Sequence, residues 1–187
     1  MTCIVGLEKG GKVYIGGDSA SVSSSQLTID TVTTPKVFTR DGYIMGYTTS
    51  WRMGQILHHC GRLPKPPCKP ETVDELDAFM VTKFISKVRK IFEKEGFIPD
   101  HEDVKHAGGS FLVGTHGRLY TVHADWQCVH QARGWDAVGC GEQFALGSLY
   151  ATRECKDWRA ETRIREALKC AAYHSAGVIE PFLVRAL

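Results

Sequence analysis

Apolar positions near the start of the chain come in short alternating runs that predict two β-hairpins. The runs are rich in β-branched and aromatic residues and lie at 2–8, 13–15, 36–38 and 43–47. A glycine-containing turn signal separates the members of each pair, Lys9-Gly10-Gly11 in the first and Arg40-Asp41-Gly42 in the second. Between the two pairs, residues 19–34 form a polar stretch.

The apolar spacing then changes to intervals of three and four residues, which are typical of amphipathic helices. Residues 51–59 predict one short helix, which ends before a proline-rich link at 61–70. Thr72 and Glu75 have the spacing of a capping box and predict the start of a longer helix, and Gly96 predicts its end. The apolar face of that helix consists of Val73, Leu76, Met80, Phe84, Val88 and Ile91.

The second half of the chain repeats this order of strands followed by helices. Apolar runs predict strands at 110–114, 119–123, 128–131 and 135–138. A helix is predicted from about Glu142 toward Arg153, and a third amphipathic helix has apolar residues at 164, 167, 168, 171 and 172. The chain closes with a predicted strand over 182–187.

The strands come in consecutive blocks and do not alternate singly with helices, which favours antiparallel sheets with separate helical layers. We therefore predict an α+β fold, a four-layer α-β-β-α sandwich of two antiparallel sheets flanked by helices. No linker is long enough to divide the chain, so residues 1–187 are predicted to form a single domain.

Composition excludes several classes of protein. A chain of 187 residues with 43% apolar residues can bury a full core without metal or disulfide bonds. The formal net charge of +2 is too close to neutral for a dedicated nucleic-acid-binding protein, which would carry a clustered basic excess. No apolar run approaches the roughly 20 residues that span a bilayer, so we expect no membrane partner.

The start of the chain and its cysteines favour a cytoplasmic location. The first residues lack the basic and long apolar regions of a secretory signal. The seven cysteines are odd in number and have no paired spacing, unlike a secreted disulfide framework. We expect reduced thiols at Cys3, Cys60, Cys68, Cys128, Cys140, Cys155 and Cys170.

Thr2 is the most informative position for chemistry. Its side chain is small enough for Met1 to be removed by ordinary processing, which would leave a hydroxyl and a free α-amine on one residue. An unperturbed α-amine has a pKa of about 8, so a useful fraction is unprotonated at neutral pH and can accept the hydroxyl proton. A start of Met1-Thr2 is common, however, and indicates a nucleophile only together with other residues.

Those other residues form a co-linear set. It consists of Thr2–Gly6, Lys12–Asp18, Thr34–Phe38 and Ile44–Tyr47, continued later by Ala137–Gly141 and Ala167–Gly177. The set resembles proteasome β-type subunits and the bacterial HslV peptidase, which are N-terminal-nucleophile hydrolases. In detail, Ser50–Gly54 and Val178–Phe182 are more similar to the small proteasome-like proteins of bacteria and their phages than to true proteasome subunits. The resemblance covers most of the chain and is weak over residues 60–108.

The resemblance implies a role for each matching residue. Thr2 would be the nucleophile and its α-amine the general base, with Lys36 as a positive charge beside it. Asp18 would pair with Lys36, and the backbone N–H of Gly46 would form the oxyanion hole. The pocket for the residue before the scissile bond would be lined by Ile44, Thr48 and Met53.

Two further catalytic candidates depart from the family pattern. Cys140 stands where the family usually has a serine, and His174 stands where it often has an aspartate. A thiol is a weaker hydrogen-bonding group than a hydroxyl, and a histidine can be neutral near pH 7. Both changes would weaken the network that positions the threonine amine.

The resemblance therefore predicts an N-terminal-threonine peptidase with no cofactor and no metal. Its substrates would be peptides or unfolded proteins, and it would act within a self-assembled homo-oligomeric ring, with an AAA+ ATPase as a speculative partner. Two alternatives stay open. One is a catalytically weak or inactive protein that serves as an assembly or binding module, and the other is an amidase acting on small amides.

Overall fold

Antiparallel strands form the centre of the computed structural model. The structure describes residues 1–23, 28–68, 70, 72–97 and 107–187. The strands are β1 (Cys3–Lys9), β2 (Lys12–Gly17), β3 (Ala20–Ser23), β4 (Thr28–Thr31), β5 (Val37–Arg40), β6 (Tyr43–Tyr47), β7 (Phe111–Thr115), β8 (Arg118–Val122), β9 (Cys128–His130), β10 (Trp135–Gly139) and β11 (Leu183–Ala186). Both predicted hairpins are confirmed, as β1–β2 and β5–β6.

The strands are arranged in two main sheets and one ribbon. The four-stranded sheet has the order β10-β1-β2-β11, and the five-stranded sheet has the order β5-β6-β7-β8-β9. In the four-stranded sheet, Cys3 of β1 lies opposite Gly139 of β10, and Ile4 lies opposite Gly17 of β2. The ends of β2 and β10 therefore lie on either side of the start of β1.

The helices are α1 (Trp51–His59), α2 (Val73–Phe79), α3 (Ile85–Lys94), α4 (Glu142–Ala151) and α5 (Ala160–His174). Helix α1 has the predicted bounds, and the Oγ of Ser50 caps it by accepting from the N–H of Met53 at 3.2 Å. Thr72 caps α2 in the same way through the N–H of Glu75. None of the described helices is both long and apolar enough to cross a bilayer.

Three apolar clusters show how the layers pack. One lies between the two main sheets and includes Ile4, Val13 and Ile15 from one sheet and Ile44, Leu112 and Leu119 from the other. A second joins the outer face of the four-stranded sheet to α4 and α5. The third joins the outer face of the five-stranded sheet to α1, α2 and α3. The predicted α+β class with antiparallel sheets is confirmed.

The structure differs from the predicted elements in two places. The polar stretch 19–34 contains the ribbon β3–β4, whose two four-residue strands pair with each other in a separate two-stranded sheet and contain few apolar residues. The predicted long helix is interrupted by a π-helical segment at Met80–Phe84. Val73 was predicted on its apolar face but is 54% exposed, because it begins α2 at the end of the helix that extends beyond the core.

Candidate active site

Thr2 directly precedes β1 and is buried, with 5% of its surface exposed. The end of β10 approaches it closely: a Cβ atom on Gly139 would lie 2.2 Å from the carbonyl oxygen of Thr2. Gly139 also has a φ of +107°, which is unfavourable for residues with a side chain. A glycine at this point is what allows β10 to pack against the threonine.

Asp18 directly follows β2 and is almost completely buried. Its Oδ1 accepts from the N–H of Cys3 at 3.0 Å, and its Oδ2 accepts from the N–H of Ala20 at 2.8 Å. Two backbone amides therefore fix the orientation of this carboxylate beside the first residues of β1. Sequence reasoning alone would read Asp18 as an ordinary turn carboxylate.

Lys36 directly precedes β5 and joins the other two residues. Its Nζ lies 3.0 Å from Oδ2 and 3.1 Å from Oδ1 of Asp18, and 2.9 Å from Oγ1 of Thr2. Burial lowers the pKa of Lys36 from its ordinary value of 10.5, although the charge of Asp18 opposes this shift. The structure thus brings the three residues Thr2, Asp18 and Lys36 into one buried hydrogen-bonded group.

Cys140 lies on the other side of Thr2, directly after β10. Its Sγ accepts from the backbone N–H of Thr2 at 3.3 Å and lies 3.4 Å from the carbonyl oxygen of Thr2. The Oγ of Ser175 lies 3.4 Å from the same Sγ. Ser175 was not among the predicted site residues, and it reaches Cys140 because it is the C-cap residue at the end of α5.

His174 does not join this group in the structure. It is exposed, and its ring stacks on that of Phe144 with the centroids 4.9 Å apart. The backbone leaves the helical conformation at Ser175, so the two neighbouring side chains point in different directions. The residue at the end of α5 that contacts Cys140 is therefore Ser175.

Gly46 lies inside β6, and its backbone N–H belongs to the sheet. The N–H of Tyr47 donates to Lys36 on the β5 side, and the N–H of Thr48 donates to Ser110 on the β7 side. Because these directions alternate along a strand, the N–H of Gly46 faces β7, where Gly46 lies opposite Leu112. The N–H of Gly46 is therefore directed toward the neighbouring strand, and not toward an oxyanion hole beside Thr2 as the resemblance implied. The glycine instead allows close sheet packing, since a Cβ atom there would lie 2.6 Å from Ile4.

Thr49 offers the backbone N–H that Gly46 does not. It has a φ of +67°, which is uncommon for a threonine. Residues in such sparsely populated backbone conformations occur most often at functional sites. Its N–H has no hydrogen-bond partner among the described residues. No sequence signal identifies this residue, because residues that adopt a positive φ are usually glycine, asparagine or aspartate.

A small pocket of about 70 Å³ opens beside Thr2, and we call it the threonine pocket. Its lining residues are Met1, Thr2, Ala20, Val22, Lys36, Tyr47, Thr48, Thr49, Ser50 and Trp51. Thr48 therefore lies where the resemblance implies a substrate pocket. Ile44 instead packs between the two sheets, and Met53 is buried in the cluster beneath α1.

The described residues contain no group of three or more histidine, cysteine or acidic side chains placed to hold a metal ion.

Comparison with known proteins adds evidence from structure. No protein-family model and no curated protein sequence matches the chain. Among solved structures, BPH of Thiobacillus denitrificans matches with a TM-score of 0.79 and 18% identity over 100% of this chain and 97% of that chain. The same protein in complex with epoxomicin matches with a TM-score of 0.77 and 17% identity, over 100% of this chain and 98% of that one.

A eukaryotic HslV from Trypanosoma brucei matches with a TM-score of 0.70 and 18% identity, over 100% of this chain and 99% of that one. At such identities the likeness establishes the fold alone. The match nevertheless covers the whole of this chain and nearly the whole of each neighbour. The chain therefore has the N-terminal-nucleophile hydrolase fold of HslV and proteasome-type peptidases.

Proposed function

We propose that this protein is an N-terminal-threonine peptidase in which removal of Met1 exposes Thr2. The observation that carries the proposal is the distance of 2.9 Å between Nζ of Lys36 and Oγ1 of Thr2. A buried ammonium held by a carboxylate and bonded to a hydroxyl stabilises the alkoxide that a nucleophilic threonine must form.

The base would be the α-amine that Thr2 gains when Met1 is removed. In the unprocessed chain the nitrogen of Thr2 is an amide, which cannot accept a proton, and it lies 3.3 Å from the Sγ of Cys140. After processing, the same nitrogen is an amine with an ordinary pKa of about 8. It takes the proton from Oγ1 as that oxygen attacks the carbonyl carbon of the substrate.

The attack converts the substrate carbonyl into a tetrahedral oxyanion. We assign its stabilisation to the N–H of Thr49, which lines the threonine pocket and has no partner among the residues described. The protonated α-amine then gives its proton to the leaving nitrogen, and the peptide bond breaks. Water, deprotonated by the same amine, hydrolyses the resulting ester and restores Thr2.

Asp18 and Cys140 would act through the reacting groups. Asp18 keeps Lys36 in place through two contacts, while its own orientation is fixed by the amides of Cys3 and Ala20. Cys140 would orient the free amine as a weak hydrogen-bond acceptor, supported by Ser175. A weak acceptor at this point predicts slower catalysis than a hydroxyl would allow.

The partners follow from the resemblance and belong to the same proposal. We propose peptide or unfolded-protein substrates, a homo-oligomeric ring, a cytoplasmic location and, as its most speculative part, an AAA+ ATPase. The likeness to HslV supports the first two of these proposals. Light scattering of the purified protein distinguishes a ring from a monomer.

The experiment that tests the proposal measures processing and nucleophilicity together. Intact-mass analysis of the purified protein reports whether Met1 is absent, and a second measurement after treatment with epoxomicin reports a covalent adduct. We chose this compound because the neighbouring BPH structure contains it. Hydrolysis of a peptide panel by the wild type, lost in Thr2→Ala, is the expected result. A processed protein that forms no adduct and cleaves no peptide contradicts the proposal.

A second candidate is a catalytically silent protein that keeps this fold for assembly or binding. The observation that favours it is the exposed thiol of Cys140 at the position that contacts the nitrogen of Thr2. This candidate predicts retention of Met1 or the absence of any adduct at Thr2. An amidase acting on small amides would form the adduct and is distinguished by cleaving small amides in preference to peptides.

A further inference from the structure

We propose that Trp51 determines the specificity of this site by restricting the threonine pocket to small side chains. The preferred substrates are then peptides with glycine, alanine or serine before the scissile bond. This inference rests on the proposed function, since it concerns the acyl group that Thr2 would receive. The resemblance that implied a substrate pocket did not implicate Trp51.

The position of Trp51 is fixed by the backbone around it. It is the first residue of α1, and it follows the positive-φ residue Thr49 and the cap residue Ser50. The cap bond from the N–H of Met53 to Ser50 holds the first turn of the helix in place. Trp51 is half-buried, so one part of the indole packs on the core while the rest lines the pocket.

Two aromatic and charged contacts hold the indole ring itself. The edge of the Tyr47 ring meets it at a centroid distance of 6.1 Å and an interplanar angle of 75°. The Nζ of Lys36 lies 5.8 Å from the ring centroid, within the range of a cation–π interaction. Lys36 also donates hydrogen bonds to Asp18 and Thr2, so its own position is fixed. The contact with Lys36 therefore restricts rotation of the indole away from Thr2.

The opposite wall of the pocket is also apolar. Ala20 and Val22, both from β3, face the space that Trp51 closes. The space beside Thr2 is about 70 Å³ while Met1 still lines it. Removal of Met1 opens the pocket on the Met1 side, but the contacts that hold Trp51, with Tyr47 and Lys36, do not involve Met1. The indole therefore stays as a wall of the pocket in the processed protein, and leucine or phenylalanine needs more room beside it than glycine, alanine or serine.

An acyl group on Oγ1 of Thr2 must place its own side chain in the open space next to that oxygen. The threonine pocket adjoins Thr2 and is closed by Trp51. A bulky side chain could extend toward Trp51 only by displacing the indole, which would break the contacts with Lys36 and Tyr47. The cost of that displacement falls on bulky substrates alone and so discriminates between substrates.

The test compares Trp51→Ala with the processed wild-type protein on peptides that differ only in the residue before the scissile bond. The wild type is expected to cleave the alanine peptide with a kcat/KM at least about tenfold above that of the leucine peptide. Trp51→Ala is expected to remove or invert this preference by improving cleavage of the leucine peptide. Trp51→Phe keeps much of the wall and is expected to retain the preference.

Trp158→Ala is the matched control, because Trp158 is a partly exposed tryptophan that does not line the threonine pocket. Its preference should equal that of the wild type. An unchanged preference in a folded Trp51→Ala protein overturns the inference. Circular dichroism and a thermal melt establish that each variant is folded.

A second measurement does not depend on any variant and separates the inference from the proposed function. Peptide epoxyketones that carry either alanine or leucine next to the reactive group are incubated with the wild type, and adduct formation is followed by intact mass. Faster labelling by the alanine compound supports the inference. Equal labelling by both overturns the inference and leaves the proposed function intact, while the absence of labelling and of hydrolysis overturns both.

Discussion

Lys36 donates a hydrogen bond to the hydroxyl of Thr2 at 2.9 Å, although the two residues are 34 positions apart in the chain. The same ammonium contacts both carboxylate oxygens of Asp18, and all three residues are at least 95% buried. A buried ion pair is costly to form and costly to break on one side. Its position beside a hydroxyl therefore points to chemistry at this end of the sheets.

Replacing Lys36 with methionine should abolish activity and also destabilise the protein. The side chain keeps its approximate length but loses the charge beside Oγ1, so we expect kcat/KM to fall by about 10²-fold or more. The carboxylate of Asp18 would remain buried without its cation, at a cost of about 3 kcal/mol. Peptide hydrolysis and urea unfolding measure the two effects.

The double variant Asp18→Asn/Lys36→Met separates those two effects. Removing both charges should recover much of the lost stability, because no unpaired ion is left in the interior. Activity should stay as low as in the single variant. Recovery of hydrolysis in the double variant would mean that the ammonium is not needed for catalysis.

The lowered pKa of Lys36 should appear in the pH dependence of activity. Burial brings this pKa below its ordinary value of 10.5, so the charge that we propose stabilises the alkoxide is lost earlier as the pH rises. We expect kcat/KM to fall on the alkaline side at a pH below 10.5. In Lys36→Arg, whose guanidinium stays charged, any remaining activity should lack this decline.

The lowered pKa of Lys36 should also make the free energy of unfolding depend on pH. Between the lowered pKa of Lys36 and 10.5, the unfolded chain binds the lysine proton while the folded chain does not. The free energy of unfolding should therefore rise with pH across this window as far as Lys36 is concerned. Urea unfolding of the wild type and of Lys36→Met at several pH values in this range isolates the contribution of Lys36. If the free energy of unfolding changes with pH equally in both proteins, the prediction is contradicted.

Cys140→Ser should increase the rate of hydrolysis. A hydroxyl in place of the thiol makes a stronger hydrogen bond to the nitrogen of Thr2, and one ordinary hydrogen bond of about 1 kcal/mol corresponds to about fivefold. Cys140→Ala removes the contact and should lower the rate by a similar factor. If serine and alanine have the same effect, Cys140 does not orient the amine.

Gly139→Ala should be destabilising and should disturb the nucleophile. The φ of +107° disfavours a side chain, and the new Cβ atom would lie 2.2 Å from the carbonyl oxygen of Thr2. Strained backbone of this kind costs about 1–3 kcal/mol, and displacement of Thr2 adds a loss of activity. Thermal melts and peptide hydrolysis measure both.

Gly147→Ala is the matched control for that substitution. Gly147 lies within α4, and no atom lies within 4 Å of the position that its Cβ would take. Alanine is favoured over glycine in a helix by about 0.5–1 kcal/mol, so this variant should be slightly more stable and fully active. If Gly147→Ala destabilises the protein as much as Gly139→Ala does, the positive φ and the close contact at Gly139 do not explain the effect.

Much of the fold could be predicted because the signals are local. The turns at Gly10-Gly11 and Asp41-Gly42 specify the two N-terminal hairpins, and the serine cap at Ser50 agrees with the start of α1. The ribbon β3–β4 could not be predicted in the same way. Its two strands have only four residues each, and the stretch around them is mostly polar, so the apolar pattern is too short to reveal a strand.

The residues of the candidate site also differ in how far the sequence could predict them. The resemblance predicts Thr2, Asp18 and Lys36 as site residues, whereas residue type and spacing alone give a turn carboxylate and a solvated strand lysine for the last two. The choice between Gly46 and Thr49 depends on the direction of a backbone N–H within a paired strand. The choice between His174 and Ser175 depends on where α5 ends.

Residue types and apolar periods thus suffice for the α+β class and for both hairpins, and the resemblance adds Thr2, Asp18 and Lys36 as candidate nucleophile, acid partner and cation. Three features required the packed structure: the distance of 2.9 Å between Lys36 and Thr2, the N–H of Thr49, which has no partner among the described residues, and the wall formed by Trp51. The physical reason is that periodicity reports only which face of an element is buried. Contacts between residues far apart in the chain, and the direction of each backbone N–H, arise from strand register and helix ends.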